Sequence, residues 1–237
     1  MEIKITNLYK SFSQGTATLD LLKGINFAFQ SNYCYAIMGA SGSGKSTLLQ
    51  LIAGLDTPDQ GHVLYDGTPI NQLSLQERTT FLAAKLGLVF QHSYLIHELS
   101  VLENVMLKGL ISGQRVTDCK EKAFELLATM GLASKADSQP ASLSGGQQQR
   151  VAILRALYNK PAFLIADEPT GSLDEATSAG VIDFLLACQA QWGMGLIVSS
   201  HDMHVAMRMQ IMLQLNDGLL HLPVSSSLAK EQVLDYA

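Results

Sequence analysis

At 237 residues, 47% hydrophobic and 16% charged, the chain can bury a substantial core as one large domain or two small lobes sharing a core, and the composition argues against disorder. Sixteen Lys plus Arg against 21 Asp plus Glu leave a formal net charge of -5, which gives no support to a broad basic surface for nucleic acid. The longest apolar runs, Cys34–Met38 and Ala162–Ala166 among them, reach five residues, far short of the ~20 that a membrane-spanning helix takes.

The opening Met-Glu-Ile-Lys-Ile-Thr-Asn alternates polar and apolar residues and lacks the apolar block of a signal peptide. Glu2–Leu8 and Leu21–Gln30 read as strands, the second with Ile25, Phe27 and Phe29 on one face. Cys34–Met38 is a short buried strand that runs straight into Gly39, and Leu48–Ala53 is a helix stopped by Gly54. His62–Ile70 has the pattern of a hairpin turning at Asp66-Gly67. From about Leu73 to Tyr158 the chain reads as largely helical, interrupted by a strand-like Leu86–Phe90. Within it, Ser100 to Glu103 is a capping box, and Thr117–Met130 is an amphipathic helix ended by Gly131. Phe163–Ala166 and Gly195–Ser199 are buried-strand patterns separated by a helix through Ala176–Gln191. Apolar strands alternating with helices imply a parallel sheet covered on both faces, with the helical stretch inserted as its own lobe. Met203, Met207, Met209 and Met212 recur at near-helical spacing and read as core. Cys34, Cys119 and Cys188 are scattered without metal-ligand spacing and read as buried or neutral thiols in a reducing compartment.

Gly39, Ala40, Ser41, Gly42, Ser43, Gly44, Lys45 and Ser46 fit G-x-x-x-x-G-K-[ST] at every specified position. Small residues let successive backbone N–H groups curl round phosphate oxygens, and the helix that follows points its positive end at them. Lys45 supplies charge for the β- and γ-phosphates, the Ser46 hydroxyl can ligate Mg²⁺, and Thr47 adds a second hydroxyl. Asp167-Glu168 ends the apolar run Phe163–Ala166. There Asp167 is placed to hold Mg²⁺, and Glu168, one residue on, to polarise a water for attack on the γ-phosphate. Leu143-Ser144-Gly145-Gly146-Gln147 opens the helix Gln148–Tyr158. Ser144 and Gln147 satisfy a capping box, while the two glycines also form an anion seat without a lysine of its own.

These three motifs, with Asp167 to Asp174 read as a unit, resemble the nucleotide-binding subunit of ABC transporters from about Ile3 to Asp217. The resemblance implies an α/β fold: a P-loop NTPase core with a parallel sheet, an N-terminal antiparallel β subdomain and an inserted helical subdomain. It implies a single domain over residues 1–222, with the core and β subdomain at about 1–91 and 160–222, the helical subdomain at about 92–159, and a motif-free tail at 223–237. ATP and Mg²⁺ are the implied cofactors. Phe12 is implied as the aromatic stacking on adenine, with Tyr9 as a substitute. Gln91 approaches the metal and the attacking water, His201 the γ-phosphate, and Asp174 communicates across a dimer. In such a homodimer Ser144, Gly145 and Gly146 contact ATP held by the other protomer.

Leu86–Ile111, with Gly54 to Pro58, looks like the lipoprotein-releasing (Lol-type), macrolide-exporter and cell-division members of that family. The resemblance implies separate transmembrane permease subunits, a peripheral place on the cytoplasmic face of an inner membrane, no nucleic-acid partner, and lipoprotein release as the work done. The alternatives are a nucleotide-gated cell-division scaffold and a macrolide or peptide exporter ATPase. Three departures bear on partner and cargo: no proline near Ile96–His97, Gln148-Gln149 after the glycine seat, and Leu154 where alanine is common.

Overall fold

The computed structural model describes residues 1–14, 17–171 and 173–222, so Ser172 and the tail at 223–237 lie outside the described residues. Strands β1 (Glu2–Gln14) and β2 (Ala17–Gln30) pair antiparallel, and β1 also pairs with β4 (Gln60–Tyr65), which turns at Asp66-Gly67 into β5 (Thr68–Pro69). Asp66 (φ 47°) and Gly67 (φ 81°) both take positive φ, as a two-residue primed hairpin turn demands. The hairpin expected from sequence is therefore present.

The second sheet has the order β10-β9-β3-β8-β7-β6. Strands β3 (Cys34–Met38), β6 (Leu86–Val89), β7 (Phe163–Asp167), β8 (Gly195–Ser199) and β9 (Ile211–Asn216) run parallel. An antiparallel edge strand, β10 (Leu219–His221), joins β9 through Asp217-Gly218, again with both φ positive, so the expected parallel sheet is mixed at one edge. The helices are α1 (Lys45–Ile52), α2 (Leu75–Lys85), α3 (Val101–Ile111), α4 (Val116–Thr129), α5 (Gly145–Leu157), α6 (Glu175–Trp192) and the short α7 (Met203–Ala206). Among the described residues no helix is long and apolar enough to cross a membrane.

Strand alternation divides the core between the two faces of this sheet. Cys34, Ala36, Leu164, Ala166, Leu196 and Val198 face one buried cluster, shared with α3, α4, α5 and α6. Tyr35, Ile37, Phe163, Ile165 and Ile197 face a second, shared with α1 and the antiparallel sheet. The inserted helices thus share one continuous core with the sheet face they cover. All three cysteines are buried and free, as their scatter implied. The methionines split. Met209 is buried and Met212 packs against the core, whereas Met203 and Met207 are exposed, because α7 ends at Ala206 and Met212 already lies in β9.

Candidate nucleotide site

Three strand ends converge on one edge of the sheet. Ile37 pairs with Ser199, and Ser199 pairs with Asp167, so β3, β8 and β7 finish side by side. The chain then leaves β3 as the Gly39 loop, β8 as Ser200-His201, and β7 as Glu168-Pro169. Gly39–Thr47, Asp167, Glu168 and His201 are thereby brought to the carboxyl ends of parallel strands, where open α/β sheets bind ligands.

The loop needs its glycines. A Cβ at Gly39 would stand 2.6 Å from the Leu215 carbonyl oxygen and 2.6 Å from Ser43 Oγ, while Gly42 (φ 79°) and Gly44 (φ 100°) take left-handed backbone. Helix α1 begins after Gly44 with no capping side chain and no acidic residue in its first turn, whereas α2, α3 and α5 each open on a capping box. Its first N–H groups are therefore left for an external anion. The Lys45 ammonium, buried at 6% exposure, donates to the carbonyls of Gly39 (2.9 Å) and Ala40 (3.1 Å), which holds the positive charge inside the loop's curve. The Ser46 hydroxyl-bearing residue is exposed beside it.

Glu168 has φ 45° although it is not glycine and stands before proline. Both features disfavour that backbone, at a cost of about 1–3 kcal/mol. The surroundings over-determine it: Glu168 N–H donates to both the carbonyl (3.2 Å) and the hydroxyl (3.1 Å) of Ser199, and the Glu168 carbonyl accepts from Gly171 N–H (3.2 Å). Its carboxylate Oε2 lies 3.1 Å from His201 Nδ1, with the histidine side chain 68% exposed and the glutamate 19%. Ser199 Oγ also donates to Asp167 Oδ1 at 2.5 Å. Ser199 escaped the sequence reading; the signal for it was a polar residue closing an otherwise apolar strand.

The candidate donors expected from sequence are a hydroxyl (Ser46), a carboxylate (Asp167) and an amide (Gln91), all hard oxygens. Among the described residues no group of three or more His, Cys, Asp and Glu is placed to hold a metal by itself. That donor set fits Mg²⁺, which is commonly held by one or two protein oxygens together with substrate phosphates.

Gln91 is exposed in the loop after β6, and that loop hangs on α5. Gln149 donates to the Phe90 carbonyl (2.9 Å), and Arg155 donates to the carbonyls of Ser93 (2.8 Å) and Tyr94 (2.8 Å). Ser93 Oγ in turn donates to Gln148 Oε1 (3.3 Å). Gln148 and Gln149, noted as departures, thus serve as neutral hydrogen-bonding groups. Of the apolar trio beyond, Leu95 is core while Tyr94 and Ile96 are exposed.

Ser144 caps α5 in a full capping box: its hydroxyl accepts from Gln147 N–H (3.3 Å), and Gln147 Oε1 accepts from Ser144 N–H (3.0 Å). A Cβ at Gly146 would lie 3.1 Å from Leu173, whereas one at Gly145 would meet nothing within 4 Å. Gly145 also has no left-handed φ, so neither backbone nor packing inside the chain demands a glycine there. Among the described residues no hydrogen bond joins this seat to the Gly39 loop. Asp174 caps α6, accepting from Thr177 N–H (3.0 Å), and hydrogen bonding from the Thr177 side chain and then its backbone holds the carboxyl below the ordinary value. Phe12 and Tyr9 are equally exposed at 42% and 41%. The Tyr9 hydroxyl lies over Gly24, while the Phe12 ring faces Lys10 Nζ at 5.3 Å.

The ABC transporter family model matches residues 22–171. The lipoprotein-releasing system ATP-binding protein LolD of Paramagnetospirillum magneticum is 42% identical over 218 residues, covering 92% of this chain and 96% of that protein. LolD of Legionella pneumophila is 42% identical over 214 residues, covering 90% and 94%. Among solved structures, the dimeric post-hydrolysis state of the ATP-binding cassette MJ0796 bound to ADP and Pi superposes with a TM-score of 0.87 at 36% identity, covering 93% of this chain and 98% of that one. A family match that takes in the phosphate loop and the Asp167-Glu168 strand end, and relatives spanned almost end to end, leave one conclusion: the chain belongs to the ABC transporter family, as an ATP-binding, ATP-hydrolysing subunit.

Proposed function

We propose that two copies of this chain close round two ATP molecules and so drive separate membrane permease subunits in releasing lipoproteins from an inner membrane. In this reading the Gly39–Thr47 loop wraps the phosphates, Lys45 exchanges its loop carbonyls for phosphate oxygens, and Phe12 stacks on the base. Ser46 and Asp167, with Gln91 near, would hold Mg²⁺, which would supply positive charge to neutralise the phosphates. Glu168 accepts the proton of the attacking water, and His201, whose Nδ1 lies 3.1 Å from its carboxylate, orients it and turns its other ring nitrogen to the γ-phosphate side. Ser144, Gly145, Gly146 and Gln147 complete the other protomer's site, and Asp174 lies at the junction. The chain sits on the cytoplasmic face of the membrane through its permease, with residues 92–159 as the helical lobe that meets it.

The observation that carries the ATPase reading is the in-register convergence of Ile37, Ser199 and Asp167, which sets the phosphate loop, both carboxylates and His201 on one edge. The cargo rests on the relatives named LolD. Glu168→Gln tests the chemistry: ATP binding is retained while hydrolysis falls by about 100-fold or more, the usual scale for losing a general base. Wild-type turnover by this variant refutes the assignment. Pull-down of the same variant from membranes in ATP tests the partners; recovery of permease subunits with a lipoprotein supports release, and recovery of a cell-division protein without cargo refutes it.

A further inference from the structure

One buried hydroxyl joins the two candidate carboxylate residues. Ser199 ends β8 with no exposed surface, after the fully buried run Leu196, Ile197 and Val198. Packing alone gives no reason for a hydroxyl there, and a buried hydroxyl is costly unless it is bonded. Its partners lie one strand away: Oγ donates to Asp167 Oδ1 at 2.5 Å and accepts from Glu168 N–H at 3.1 Å. A serine hydroxyl has one proton and two lone pairs. With the proton committed to Asp167, the lone pairs are turned toward Glu168, so one rotamer satisfies both bonds. The bond to Asp167 fixes which carboxylate oxygen is occupied and which remains for a ligand. The bond to Glu168 N–H, beside that from the Ser199 carbonyl at 3.2 Å, holds the left-handed backbone that aims the glutamate.

We propose that Ser199 is a positioning residue for ATP hydrolysis, setting Asp167 for the metal and Glu168 for the attacking water through a single hydroxyl. This rests on the site reading above. The test compares Ser199→Ala and Ser199→Val, which lack the hydroxyl, with Ser199→Thr, which has valine's shape and retains it. Four quantities are measured on the full chain: kcat and KM for ATP, Mn²⁺ affinity in the presence of ATP by electron paramagnetic resonance, and thermal melting.

The Ala and Val variants are expected to lose about tenfold or more in kcat and in Mn²⁺ affinity, the scale of a lost outer-shell partner. KM for ATP stays near wild type, and Ser199→Thr recovers kcat and Mn²⁺ binding. Wild-type kcat and Mn²⁺ affinity in Ala and Val overturn the proposal. So does a Thr variant as impaired as Val, because space rather than the hydroxyl would then matter. If Ala melts too low to assay, the matched Thr and Val pair decides. Asp167→Asn and Glu168→Gln are assayed alongside. Normal turnover by those two overturns the site reading itself, whereas their loss of turnover beside unaffected Ala and Val overturns only the role of Ser199.

Discussion

Gly145 separates what the seat does for the chain from what it does for a partner. Alanine there adds a methyl that meets no heavy atom within 4 Å, at a residue without left-handed backbone. Reduced freedom of the unfolded chain should then stabilise the isolated protein by ~0.4–1 kcal/mol, raising its melting temperature by roughly 1–4 °C for a chain of this size. Across a dimer the sign reverses. If the methyl costs one charge-assisted hydrogen bond to phosphate per site, worth ~1.5–3 kcal/mol, two sites lose ~3–6 kcal/mol, or roughly 10²–10⁴ in dimer affinity. The assay is ATP-dependent dimerisation by sedimentation in the Glu168→Gln background, with melting and fluorescent-nucleotide binding measured on the monomer. Gly180, which also has nothing within 4 Å but lies inside α6, is the control. Gly180→Ala should stabilise by ~0.8–1 kcal/mol and leave dimerisation unchanged. A Gly145→Ala change that leaves ATP-dependent dimerisation unaltered refutes the seat, and one with a lowered melting temperature refutes the reading of its open face.

Asn104 is fully buried, with its side chain accepting from Ile96 N–H and donating to the carbonyls of Ile96, Leu99 and Ser100. Asn104→Ala strands these groups and should cost about 2–4 kcal/mol in urea unfolding; a loss below 0.5 kcal/mol counts against that network. Burial, helped by Arg155, pushes the Lys108 ammonium down to about 8 from an ordinary 10.5. The folded chain then releases this proton more readily than the unfolded chain, so wild-type stability relative to Lys108→Met is flat below about pH 8 and rises from there toward 10.5. A difference that stays constant across that window contradicts the depressed value.

The phosphate loop was legible because its chemistry is local: one strand end, eight consecutive residues and one helix start suffice. Capping boxes at Ser100 and Ser144 and the Asp66-Gly67 turn were legible for the same reason. The second primed turn, Asp217-Gly218, carries the identical dipeptide signal but was missed, because the methionines before it suggested helical spacing that the structure divides between α7 and β9. Short apolar runs leave the two periods ambiguous. Ser199 was out of reach for a different reason. Its partners are 31 and 32 residues earlier in the chain, and only the strand order, with β8 between β3 and β7, makes them neighbours.

The hydrogen bonds also tie the candidate site's residues to two different elements. Asp167, Glu168 and the phosphate loop are tied crosswise through β8, since Ser199 bonds both acidic residues and Ser200 N–H donates to the Ile37 carbonyl at 3.2 Å. The loop bearing Gln91 is held instead by Gln148, Gln149 and Arg155, all from α5, whose first turn is the glycine seat. Gln91's loop and the Ser144–Gly146 turn are therefore both anchored on α5, whereas Asp167 and Glu168 are bonded to β8.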